Sequence, residues 1–287
     1  VKLETWTIPS EMEGQKLYPA LRRIWPWVPE SFIREAFDHR DVKMDGLRVS
    51  RDALMVAGAE VKVYLPNEVP VILPEVLYED EEYLIIHKPI GLSCEADAKG
   101  GRTVGEWVYH ALSERFIKMP MPCHRLDNQT DGILMLAKTD TALAAAQTAF
   151  RERKIHKKYE CLVRGTPYPP ERCLQAYLIK DAEHSRVRVL DAPAHGALTI
   201  RTEYKVLNAG DVCRLSITLH TGRTHQIRAH LAHMGYPLLG DDQYGDRVFN
   251  RAQHAKRLML TATELQFDVD GPLARLHGLI LSVPPGF

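Results

Sequence analysis

The stretch His124-Arg125-Leu126-Asp127-Asn128-Gln129-Thr130-Asp131-Gly132 runs directly into Ile133-Leu134-Met135-Leu136-Ala137. A polar loop here delivers charge into an apolar run of strand length, so Asp127 or Asp131 comes to rest at the edge of a core. Such a position suits a carboxylate held for chemistry. It suits equally an Asx turn, in which the same side chains bond nearby amides before the strand begins. On these residues alone both readings stand.

A second dense stretch lies downstream, from Gly222-Arg223-Thr224-His225-Gln226-Ile227-Arg228 through Ala229-His230-Leu231 to Gly240-Asp241. Helical spacing puts Thr224 and Arg228 on one face and Ile227 and Leu231 on a neighbouring apolar face. An arginine on a half-buried helix needs an anion. Were Asp127 that anion, the pair would keep the carboxylate charged and fixed in direction. A salt bridge that merely anchors the helix has the same spacing.

The flanking sequence supplies the frame for these two stretches. Tyr83-Leu84-Ile85-Ile86 reads as a buried strand entering the turn Lys88-Pro89-Ile90-Gly91. Thr139 or Asp140 can cap a helix through Ala142, Leu143, Ala146 and Phe150. Cys161-Leu162-Val163 and the alternating Cys213, Leu215, Ile217 and Leu219 read as strands, and a helix from near Thr224 ends at Gly235. Strands and helices mix without a regular βαβ period, which predicts an α+β fold. Pro66, Pro70 and Pro74 mark a boundary between residues 1–70 and residues 71–287. Before it, Ser31 is placed to cap a helix through Ile33 and Phe37. Val42-Lys43-Met44 then leads into an Asp45-Gly46 turn, and Ala59 to Leu65 alternates as a half-buried strand. This segment is expected to hold a small core of its own.

With 287 residues, 45% of them hydrophobic and 26% charged, the chain has room for a large domain and a small one. Its apolar runs are closed by charge far short of the roughly 20 residues that span a bilayer, and its first residues lack a signal pattern. A cytoplasmic protein without membrane contact is expected. The five cysteines are scattered with no C-x-x-C pair, which argues against a disulfide framework or a zinc ribbon. His225, His230 and His233 lack an H-E-x-x-H arrangement, so no metal site is expected. The 37 basic and 37 acidic side chains balance overall but not along the chain. Residues 1–150 hold 17 basic and 23 acidic groups, and residues 151–287 hold 20 and 14. The densest basic run, Arg151 to Lys158, reads by itself as a solvated helix end.

The segment His124-Arg125-Leu126-Asp127-x-x-Thr130-x-Gly132 resembles the H-R-L-D-x-x-T-S-G loop of RluA-type pseudouridine synthases, and Gly222 to Asp241 resembles that family's second signature. Lys88-Pro89-x-Gly91 matches its K-P-x-G turn, and Lys158-Tyr159 matches the start of a strand that ends before Gly165. Four motifs in the family's order cover nearly the whole chain after the prolines. Residues 31–65 resemble the S4 RNA-binding fold, a helix pair on a small sheet.

The resemblance implies a catalytic domain over residues 71–287 with a mixed, largely antiparallel sheet and flanking helices, preceded by an S4-like domain over residues 1–70. It implies isomerisation of a uridine in RNA without metal or organic cofactor. The base leaves the sugar at nitrogen, turns, and rejoins through carbon. Asp127 would be the essential carboxylate, as nucleophile or as base at the sugar. Arg228 would be its ion-pair partner, and Tyr159 would stack on the target base. Arg125 would fill the gap left when the uridine flips out. His124, Thr130, Lys88, Lys158, Arg223, Thr224, His225 and Gln226 would contact RNA. Large-subunit ribosomal RNA is the expected partner, with transfer RNA the alternative and a monomer the default. Asp131 stands where the family usually has Ser, and it either caps the turn or raises the pKa of its neighbour by repulsion. An RNA-binding assembly factor without activity and a carboxylate glycosidase are the competing classes. The former would bind RNA without converting it, and the latter would release sugar or base. The basic excess after residue 150 should surround the cleft, and RNA affinity should fall with salt.

Overall fold

The computed structural model describes residues 2–96, 102–112, 115–181 and 186–287. The chain opens with β1 (Lys2–Thr7), α1 (Leu17–Ile24) and α2 (Glu30–Asp38), followed by β2 (Val42–Met44), β3 (Leu47–Arg48) and β4 (Glu60–Leu65). The four strands form an antiparallel sheet in the order β1-β4-β2-β3. Alternation in β4 sends Val61, Val63 and Leu65 inward, where Leu17, Leu21 and Ile24 of α1 and Ile33 and Phe37 of α2 meet them. Asp45 and Gly46 both take positive φ, the conformation a two-residue hairpin demands. Ser31 is not the cap expected of it. The helix starts one residue earlier, at Glu30, behind Pro29, whose side chain has nothing to donate or accept. Nor is the small core separate, because Ile72 after the prolines donates its amide to the Trp27 carbonyl. Trp107 donates its indole N–H to the Ile72 carbonyl at 3.1 Å, and His110 stacks on the Trp27 ring at 3.8 Å. The apolar interior runs through these contacts without a break.

The rest of the chain adds β5 (Glu75–Glu79), β6 (Tyr83–Lys88), α3 (Val104–Ala111), β7 (Met121–Pro122), β8 (Asp131–Ala137) and α4 (Asp140–Arg151). Then come β9 (Ile155–Arg164), β10 (Glu171–Asp181), β11 (Arg186–Leu190), β12 (Leu198–Asn208) and β13 (Val212–Leu219). Helices α5 (Gln226–His233) and α6 (Arg247–Ala252) precede β14 (Leu260–Phe267) and β15 (Ile280–Ser282). The strands build one sheet whose main path is β11-β10-β12-β13-β9-β14-β8-β6-β5. Every pairing is antiparallel except β14 with β8, so the expected α+β architecture with a mixed, largely antiparallel sheet is what forms.

β8 is buried along its whole length. Leu134 and Leu136 join the core shared with α5 and β13, while Ile133, Met135 and Ala137 join the core under α4. The alanines of α4, capped by the Thr139 hydroxyl, let that helix lie close on the sheet. Where β8 meets β14, a side chain at Gly132 would put its Cβ 2.2 Å from the Ala262 carbonyl oxygen, and φ there is +116°. Only glycine fits. No helix among the described residues is long and apolar enough to cross a membrane.

Candidate active site

A cleft of about 690 Å³ opens where the loop before β8, the start of β9 and the N-terminal end of α5 converge. That volume lies within the usual range for a small-molecule site. Asp127 is held there by its own loop and by the Lys88-Pro89-Ile90-Gly91 turn. Its carbonyl accepts from the Thr130 amide at 3.0 Å, and the Gly91 amide donates to the Asn128 carbonyl at 2.8 Å. Asn128 also donates from its side chain to the Ser93 hydroxyl, and the Leu126 amide donates to Cys94 sulfur. Lys88 completes this bracket from inside. It is fully buried, and its ammonium donates to the carbonyls of Pro89, Leu92 and Asn128. Burial lowers its pKa to about 8, against the pull of Cys94, Asp131 and Asp127. Lys88 therefore braces the loop from inside, with its ammonium turned away from solvent.

Arg228 reaches the site from α5 because the helix begins only at Gln226, with His225 just before it in a left-handed conformation. Thr224 thus lies outside the helix and does not share the Arg228 face. Arg228 is buried, and its principal partner is Asp241. Nε and Nη2 donate to the two Asp241 oxygens at 2.8 and 2.9 Å. Asp127 receives one longer contact, from Nη1 at 3.4 Å, so the expected Asp127 pair is the lesser of two. Burial opposes the charge on both members of the main pair. The mutual hydrogen bonds nevertheless outweigh it, holding Arg228 above and Asp241 below their ordinary ranges. Amides of Gln243 and Tyr244 donate to Asp241 as well. His225 points one ring nitrogen at Asp127, 3.9 Å away, and the other at the Tyr244 hydroxyl, 2.9 Å away. Burial lowers its pKa despite the carboxylate.

Tyr159 lines the cleft from β9, and burial together with the negative charge of Asp127 holds its hydroxyl protonated far above the ordinary range. Alternation along β9 decides which basic residues share that face. Lys157 joins Tyr159 in the cleft, whereas Lys158 points away and pairs with Glu264 at 2.8 Å. The helix end read from the basic run accordingly stops at Arg151, and Ile155 onward is strand. His124 lies against Phe150 and accepts from the Met135 amide through Nε2, which leaves the ring proton on Nδ1. Burial drives its pKa down to about 3. Gln226 is buried, bonding Thr221, the Arg223 amide, Thr202 and the Arg201 carbonyl. It fastens the turn and is not free for RNA. Thr130 is buried at the cleft wall, while Arg223 and Thr224 are exposed at its rim. Arg125, also at the rim, donates to Glu95 at 2.9 Å.

Asp131 has partners of its own. Arg257 donates to it at 3.0 Å and the Thr261 hydroxyl at 2.6 Å, so its charge is used inside the protein. His225, His230 and His233 turn to Tyr244, Thr202 and Asp191 and do not converge. Cys173, Glu203 and His220 do bring ligand atoms within 4.8 Å of one another. However, the Arg201 guanidinium stands 3.8 Å from that sulfur, where it would repel a second cation. Asp241 and Lys157 carried no distinctive signal in sequence beyond their places in the second stretch and in the period of β9.

The pattern of the RNA pseudouridylate synthase family matches residues 82–233. The chain is 31% identical over 290 residues to ribosomal large subunit pseudouridine synthase C of Vibrio vulnificus, covering 93% of this chain and 89% of that one. It is 30% identical to the Escherichia coli protein of the same name, over 92% of this chain and 88% of that one. Two human proteins, RNA pseudouridylate synthase domain containing 1 and 4, share the fold with TM-scores of 0.59 and 0.60 at 24% and 22% identity, over 75% and 74% of this chain and 84% and 88% of theirs. With the family pattern over more than half its length and relatives matched nearly end to end, the chain belongs to the RNA pseudouridylate synthases and is an isomerase of uridine in RNA.

Proposed function

We propose that the chain converts specific uridines of large-subunit ribosomal RNA to pseudouridine, with Asp127 as its essential carboxylate. The observation that carries this reading is the placement of Asp127 in the cleft beside Arg228 and opposite Tyr159. The names of the relatives support ribosomal RNA over transfer RNA. A stacked base hides its glycosidic bond, so the uridine must first leave the stack, at a cost of a few kcal/mol. Arg125 then releases Glu95 and fills the vacated space as a planar cation. The C1′–N1 bond breaks as Asp127 either attacks C1′ or takes the C2′ proton. The base turns against the uncharged ring of Tyr159, and C1′ bonds to C5 as the Asp127 ester bond breaks or as Asp127 returns the proton to C2′; C5 then loses its proton and N1 gains one. Every atom of the uridine is retained.

Arg223, Thr224 and His225 contact RNA at the rim, while Lys88, Gln226, Thr130 and His124 hold the walls in place. Residues 1–70 act as an S4-like RNA-binding domain and residues 71–287 as the catalytic domain, in a cytoplasmic monomer. The test is to map pseudouridine in unmodified ribosomal RNA incubated with wild type and with Asp127→Asn. The variant is expected to bind RNA and convert none. Undiminished conversion would remove Asp127 from the role.

A further inference from the structure

Lys154 just before β9 and Lys157 and Lys158 within it lie near the cleft, and two of the three have carboxylate partners. Lys154 pairs with Glu152 and Asp270, and Lys158 pairs with Glu264. Lys157, on the cleft face, has neither an ion pair nor a hydrogen-bond acceptor among the described residues. Its ammonium lies 5.5 Å from the centre of the Phe150 ring. On its other side is Gly222, where a Cβ would stand 3.1 Å from Nζ, so the absent side chain leaves the ammonium room. Burial lowers its pKa to about 8. A half-buried cation without a counter-ion opposes folding. An apolar residue of similar length would fill this place without that cost, unless an anion arrives from outside.

The position says which anion. Lys157 and Tyr159 lie on the same face of β9, two residues apart, which is about 6.7 Å along a strand. The distance from a nucleotide's base to the phosphate on its own sugar is of that order. Arg223, exposed beside Gly222, also has no acid partner among the described residues. We propose that Lys157, with Gly222 and the Arg223 guanidinium beside it, forms the subsite for the phosphodiester attached to the ribose of the target uridine. This rests on the reading of the cleft as the uridine pocket. The subsite anchors the sugar while the base is detached and turned.

The test compares Lys157→Met and Lys157→Arg with wild type, using binding of a single-stranded oligouridylate across a salt series and conversion of unmodified ribosomal RNA. Losing one phosphate contact should make the slope of log affinity against log salt shallower by about 0.7. Lys157→Met should show that change and an approximately tenfold higher KM, with kcat less affected. Lys157→Arg should keep the wild-type slope. The melting midpoint of Lys157→Met should match or exceed wild type, because an uncompensated charge has gone. An unchanged slope in Lys157→Met, a fall in kcat with KM intact, or a lowered melting midpoint that Arg restores would each overturn the proposal. Asp127→Asn should bind oligouridylate with the wild-type slope, so failure of the subsite and failure of the uridine reading give different results.

Discussion

At the residue scale, the division of Arg228 between two carboxylates decides how Asp127 behaves. A full bidentate pair with Asp127 would tie up both of its oxygens. Instead Asp241 takes the fork, and Asp127 is steadied by one nitrogen at 3.4 Å, so its second oxygen stays outside the Arg228 contact. Asp241→Asn should therefore lower kcat by about a hundredfold through a misdirected guanidinium and destabilise the fold by about 3 kcal/mol through an unpaired buried charge. Single-turnover kinetics and urea denaturation would measure the two effects. That Asp127, Tyr159 and Arg228 line one cleft is legible in sequence because the motifs carry them together. Asp241 was not legible as the partner, since nothing in one dimension says which of two carboxylates a guanidinium will meet. The burial of Lys88 is hidden in sequence for a related reason: a lysine in a turn reads as exposed, and only the closed bracket of three carbonyls shows where its ammonium goes.

At the scale of elements, the loop bearing Asp127 is only as fixed as the junction of β8 with β14. Gly132 pairs with Ala262 there, at a φ of +116° and with no room for a Cβ. Gly132→Ala should cost more than about 3 kcal/mol, seen as a shifted denaturation midpoint and a poorly folded product. Gly165 has positive φ but open space around it, so Gly165→Ala should cost much less. The strands at Tyr83, Cys161 and Cys213 were legible because apolar residues repeat at the strand period or cluster in a short run. α5 was placed almost correctly, but the left-handed turn at His225 delays its start, and this moves Thr224 off the helical face. β1 is not legible because four of its six residues are exposed and its apolar pattern is thin.

At the scale of the whole molecule, zero net charge conceals a sorted distribution. Among the described residues that line the cleft, Asp127 is the only acid, against Arg125, Arg151, Arg153, Lys157, Arg223 and Arg228. Many of the remaining cations are matched by surface carboxylates, as in the pairs of Arg275 with Asp80 and Glu82. Acid should weaken the fold in a definite window. His124 and His230 titrate near 6.5 when unfolded, but burial lowers them to about 3 and about 4 in the folded protein. Between pH 6.5 and those values the unfolded chain binds more protons, so stability falls as pH falls. Denaturation midpoints at pH 7 and pH 4.5 would check this, and a midpoint that does not change would contradict it.

The contact between Arg125 and Glu95 bears on the tempo of RNA capture. Both side chains are about half exposed, and such a pair contributes only about 0–1 kcal/mol. Glu95 is thus a loose berth for the guanidinium, and on the proposed role of Arg125 the tether would delay RNA by less than about tenfold.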